Sequence, residues 1–82
     1  MQHETEYPLA YPIVTNGLKT LSLKIRRPTV GDNLAADSLQ ESDSVKEMYL
    51  IANLCQISTE DVKNLDLKDY KKIQAIIESF LA

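Results

Sequence analysis

The stretch that decides the fold is Pro8-Leu-Ala-Tyr-Pro-Ile-Val-Thr-Asn-Gly-Leu-Lys-Thr-Leu-Ser-Leu-Lys-Ile-Arg-Arg27. Asn16-Gly17 is the strongest short-range signal for a β-hairpin, because a type I′ turn needs positive φ at both central residues. After it, Leu21, Leu23 and Ile25 alternate with Thr20, Ser22, Lys24 and Arg26, the period of two that marks a half-buried strand. As a two-residue loop, Asn16-Gly17 sets Thr15 opposite Leu18 and fixes the register. Pro12 then opposes Leu21, Ala10 opposes Leu23 and Pro8 opposes Ile25 on one face. Leu9, Tyr11 and Ile13 fall on the other face, opposite Lys24, Ser22 and Thr20. Prolines at 8 and 12 cannot donate to a ladder, so the first strand is an edge. The hairpin is expected over residues 8–27, and the polar, pattern-free residues 1–7 read as a flexible terminus.

Downstream the period changes from two to that of helices. Thr29 after Pro28 is an N-cap, with Asp32 placed for the free amides of a helix over about 30–39. Ser44 and Glu47 have the spacing of a capping box for a second helix over about 44–56. Along it Val45, Met48, Ile51, Ala52 and Cys55 form one apolar stripe, while Leu50 falls on the Lys46–Asn53 side. Ser58 with Asp61 opens a short helix over 59–64. Asp66 with Asp69 caps the last helix, about 67–81, where Tyr70, Ile73, Ile76, Ile77, Phe80 and Leu81 share a face. The pattern predicts one α+β domain over residues 8–82, an N-terminal antiparallel hairpin packed on three or four helices through Leu21, Leu23 and Ile25.

Eighty-two residues leave room for one core, and 44% apolar with 26% charged residues is an ordinary globular balance. No apolar run approaches the roughly 18 residues of a membrane span, and the N-terminus lacks the shape of a signal peptide. A net charge of −3 argues against nucleic acid or an anionic membrane as partner. The single cysteine, Cys55, cannot form an internal disulfide, which points to a reducing cytoplasm.

No catalytic, cofactor or metal site emerges. His3 has no second ligand near it, and Cys55 belongs to a packed stripe. The carboxylates Asp32, Asp61, Asp66 and Asp69 are read as caps, and only Gly17 and Gly31 could serve a phosphate loop. Lys24, Arg26 and Arg27 blunt a strand edge. Two other patterns suggest specific functions. Asp37-Ser38-Leu39 matches the attachment triplet of acyl carrier proteins, but Ser38 sits at a helix end, and no long helix precedes it. Residues 50–65 read as helix-turn-helix, yet its second helix would offer Thr59, Glu60 and Asp61 to DNA, with only Lys63 basic.

A more specific likeness lies in order and spacing. Tyr11-Pro12-Ile13, the Asn16-Gly17 turn, the strand Leu21 to Arg27 and then Pro28-Thr29-Val30-Gly31-Asp32 resemble the opening of small tail assembly chaperones of contractile-tailed, Mu-like bacteriophages and prophages. Ile57-Ser58-Thr59-Glu60-Asp61-Val62, Leu65 and Asp69-Tyr70 resemble the same family's short helix and entry to the terminal helix. The likeness covers residues 8–81 and departs at Gln56, where a glycine is expected between helices. It implies a non-enzymatic helper, without cofactors, in the host bacterial cytoplasm and absent from the mature virion. Its partner would be the tape measure protein, kept soluble during tail assembly, with the tail tube protein as a second candidate.

Such a role needs apolar surface. With one hairpin face committed to the core, Leu9, Tyr11, Ile13 and Leu18 remain on the other, and Leu50 adds to the polar side of its helix. These five residues are the candidate partner-binding surface, for a client or for a homo-oligomer.

Overall fold

The structure, a computed structural model, describes residues 4–82. Strand β1 runs Glu4–Thr15 and β2 runs Leu18–Arg26, paired antiparallel about Asn16-Gly17. Both turn residues take positive φ, 51° and 77°, as the type I′ reading requires. Helices α1 (Val30–Asp37), α2 (Asp43–Cys55), α3 (Thr59–Lys63) and α4 (Leu67–Phe80) follow. This is the α+β arrangement the sequence predicts. Strand β1 begins at Glu4, so residues 4–7 pair with β2 and are not a loose end. Residues 1–3, His3 among them, lie outside the described chain.

Near the turn the register is the expected one, with Thr15 opposite Leu18 and Ile13 opposite Thr20. Beyond Ile13 it is not. Pro8 faces Ser22, Tyr7 faces Leu23 and Thr5 faces Ile25, so Leu9 to Pro12 stand against Leu21 alone. The two prolines cannot donate to β2, and the amides between them turn to a side chain elsewhere. The excess of three residues is odd, so side-chain alternation along β1 is reset across the bulge. Leu9 is thereby in phase with Tyr7, which faces Leu23, and enters the core. Ile13 keeps its expected partner Thr20 and is buried as well, so both join Leu23 and Ile25 in the core instead of lying on an outer face. Leu21, expected in the core, is 60% exposed.

The hairpin rests on the helices away from its turn, β2 against α2 and β1 against α3 and α4. Ile51, Leu54 and Cys55 of α2, Val62, Leu65, and Ile73 and Ile77 of α4 complete the core. Local signals set the helix starts. Thr29 and Asp32 form a reciprocal capping box, and so do Ser58 and Asp61. Helix α2 is capped by Ser42, not Ser44: the Ser42 hydroxyl accepts from the Val45 amide at 3.3 Å. That start puts Asp43 in the first turn, where its charge meets the helix dipole. Gln56 ends α2 in the left-handed region (φ 58°, ψ 42°), and the Ile57 amide reaches back to the Ala52 carbonyl at 3.0 Å. That conformation favours glycine, so Gln56 departs from the expected residue type while keeping the expected geometry.

Candidate functional site

The hairpin's bulge is built around one carboxylate. Asp69 lies in the first turn of α4 and is fully buried. It accepts from the Ala10 amide at 3.0 Å, the Tyr11 amide at 3.0 Å and the Tyr7 hydroxyl at 2.8 Å. Burial alone would raise its pKa. The amides of Ala10 and Tyr11, the Tyr7 hydroxyl and the nearby Lys68 charge outweigh burial and hold the carboxyl below its ordinary value. Donation to Asp69 also pushes the Tyr7 phenol up. Capping of α4 falls to Asp66, whose carboxylate accepts from the Lys68 amide at 3.0 Å. Sequence spacing makes Asp69 a second cap. Instead it ties α4 to residues about 60 positions away, and so fixes where the Tyr11 ring is presented.

A second tie closes the other end of the hairpin. Arg26 donates in bidentate fashion to Asp32, both bonds at 2.7 Å. The Arg26 guanidinium, with the Thr29 amide and hydroxyl, holds the Asp32 carboxyl well below the usual range, against the opposing effect of burial. Arg26 is thus a structural partner rather than a solvated edge charge. Arg27 lies over the Phe80 ring at 5.4 Å and donates to the Phe80 carbonyl at 3.1 Å, joining the strand end to the end of α4.

These ties leave apolar groups exposed at the turn end of the hairpin. Tyr11 is 56% exposed and Leu18 72%, and Val14 and Leu21 are exposed beside them. Of the five candidate residues, Tyr11 and Leu18 are on the surface, and Leu9 and Ile13 are in the core. Leu50 is half-buried, because α1 packs on the side of α2 that the helical wheel leaves to solvent. It lines an open groove of about 390 Å³ between α1 and α2, with Ala35, Leu39, Tyr49, Asn53 and Ile57. A second groove of about 360 Å³, between α2, α3 and α4, is lined mainly by Val45, Met48, Val62, Leu65, Leu67 and Tyr70. Sequence reasoning missed both, because a groove needs the relative placement of helices that periodicity does not give.

The described residues that the sequence raises for chemistry are engaged structurally. Among the described residues no group of three or more His, Cys, Asp or Glu could hold a metal ion. Burial pushes the Cys55 thiol up to about 12, far from a reactive thiolate. Ser38 caps the C-terminus of α1 and donates to the Ala35 carbonyl at 2.8 Å. At the start of α3, Asp61 is committed to the Ser58 amide, and Glu60 pairs with Lys63. No helix among the described residues is long and apolar enough to cross a membrane. What the geometry offers is a small scaffold that holds apolar side chains outward.

Comparison with curated proteins and with solved structures gave no match. The family described as phage tail assembly chaperone proteins, E, or 41 or 14, matches the chain over residues 6–82. That span runs from the strand ahead of the bulge through the end of α4, and takes in both the Asp69 tie and the Arg26–Asp32 pair. Membership implies a non-enzymatic role among phage tail proteins, and the chain belongs to the phage tail assembly chaperone family.

Proposed function

We propose that this chaperone binds the tape measure protein of a contractile-tailed, Mu-like phage or prophage and keeps it soluble while the tail assembles. The work takes place in the host bacterial cytoplasm, and the chaperone leaves before the virion is complete. The tail tube protein is a second partner. The observation that carries the reading is unpartnered apolar surface on a chain of this family, at the hairpin end and in the α1–α2 groove. A long helical client exposes apolar stripes until the tube encloses it, and such stripes need complementary apolar cover. Tyr11 and Leu18 are the direct contacts, with Leu50 contributing at the groove. Leu9 and Ile13 act from beneath by fixing the hairpin on the core.

Co-expression tests the proposal. A tape measure fragment produced with the wild-type chain stays in the soluble fraction and co-purifies with it. Tyr11→Lys and Leu18→Lys, at exposed positions, each lower the soluble fraction while leaving the circular dichroism spectrum unchanged. A fragment that precipitates equally with and without the wild-type chain defeats the proposal.

A further inference from the structure

The two edges of the hairpin differ. The β1 edge is closed to pairing by Pro8, Pro12, the bulge and the use of the Ala10 and Tyr11 amides by Asp69. The β2 edge has no proline and no bulge, and no third strand pairs with it among the described residues. In a two-residue hairpin the pair flanking the turn exchanges both hydrogen bonds, so Leu18 and Thr20 direct their backbone groups to β1. Lys19, Leu21, Leu23 and Ile25 then direct theirs outward. Leu23 and Ile25 are buried at 3% and 0%, whereas Lys19 and Leu21 are exposed. The free edge is therefore short and lies next to the exposed Leu18 and Leu21 side chains.

We propose that this edge pairs with the same edge of a second copy, making one antiparallel sheet in the order β1-β2-β2′-β1′. A helical client satisfies its backbone groups internally and cannot use a strand edge, whereas a second copy carries a free edge of matching length. The register follows by elimination. Outward residues must pair with outward residues. Setting Lys19 opposite its own copy places two ammonium groups together. Setting Leu21 opposite its own copy requires the covered backbone of Leu23. What remains is Lys19 opposite Leu21 of the second copy, with Thr20 facing its own counterpart across the two-fold axis. Leu21 then lies against the aliphatic stem of the second Lys19, and Leu18 lies opposite Ser22. The inference goes beyond client binding, and its choice of a second copy over the client rests on the helical client proposed above.

Cysteine scanning reads the register directly. Thr20 is a non-hydrogen-bonded pair in the new ladder, with Cα atoms about 4.5 Å apart, inside the range a disulfide spans. Under mild oxidation Thr20→Cys forms a covalent dimer, while Lys19→Cys and Ser22→Cys form it roughly tenfold more slowly or not at all. The wild-type chain, whose Cys55 is buried, forms none. Light scattering shows wild-type mass rising from one chain towards two with concentration. Leu21→Pro, which removes only an outward amide, stays at one chain with an unchanged circular dichroism spectrum. A wild type monomeric at every concentration, or three cysteine variants that cross-link at equal rates, overturns the proposal whether or not Leu21→Pro folds.

Discussion

Replacing Asp69 with Asn keeps the side chain's size and removes the charge that three donors share. One of the two carboxylate oxygens becomes an amino group aimed at a backbone N–H or at the Tyr7 hydroxyl. The substitution thus loses at least one bond, leaves its donor unpaired and weakens the others. A hydrogen bond to a charged group contributes about 1.5–3 kcal/mol, and an unpaired buried donor costs about 1–3 kcal/mol. Ala10 and Tyr11 are themselves exposed, so water offsets part of this. The expected loss is about 2–4 kcal/mol, a large share of the roughly 4–12 kcal/mol that stabilises a chain of this length. It lowers Tm by roughly 10–25 °C. Urea and thermal unfolding followed by circular dichroism at neutral pH measure it, with Asp66→Asn as the control. Asn caps helices as well as Asp does, so that control stays within about 0.5 kcal/mol of wild type. The folded pKa of Asp69 is depressed, so its stabilisation is present above the unfolded value near 3.9 and is lost as pH falls through the folded value. The gap between wild type and Asp69→Asn must therefore narrow in strong acid. An Asp69→Asn chain as stable as Asp66→Asn at neutral pH refutes the pinned-bulge account.

Gln56→Gly relieves a left-handed backbone at the end of α2 and raises stability by about 1 kcal/mol, measured by urea unfolding. Gly17→Ala, at φ 77°, costs about 1 kcal/mol in the same experiment. Arg26→Lys keeps the charge opposite Asp32 but not the two parallel bonds, and lowers stability by about 1–2 kcal/mol. The depressed Asp32 carboxyl gives this pair the same sign of pH dependence as Asp69, with its contribution lost only in strong acid. Cys55 resists thiol reagents in the native state at pH 8 and reacts at once in urea, since its thiol is buried and pushed up to about 12.

The features legible in the sequence are those that a few neighbouring residues decide. Asn16-Gly17 dictates its own turn, Thr29 with Asp32 and Ser58 with Asp61 cap their own helices, and the α4 stripe is a matter of period. The bulge was not legible, because nothing between Pro8 and Pro12 reveals that a carboxylate near residue 70 will take the Ala10 and Tyr11 amides. That reset puts Leu9 in phase with Tyr7, which faces Leu23, and turns it inward. Ile13 is buried with its expected partner opposite, and Leu21, the lone residue against the bulge, stays exposed. The candidate surface that simple alternation predicts therefore includes two residues, Leu9 and Ile13, that lie in the core. Leu50 shows a second reason. A helical wheel sorts residues by angle but does not know that α1 will lie against the angle it assigns to solvent. Arg26 shows the same limit for charge, since its six-residue spacing from Asp32 becomes a pair only once Pro28 has turned the chain.

Dilution of a denatured tape measure fragment into the purified chain tests the chaperone reading most directly. Aggregation is followed by light scattering as the chaperone concentration rises. The account predicts suppression that saturates at a fixed ratio of chaperone to fragment and yields a soluble complex of defined mass. It also predicts that Tyr11→Lys with Leu18→Lys in one chain shifts the curve to higher concentration without unfolding the chaperone. A fragment that aggregates to the same extent at every chaperone concentration, with no complex recovered, contradicts it.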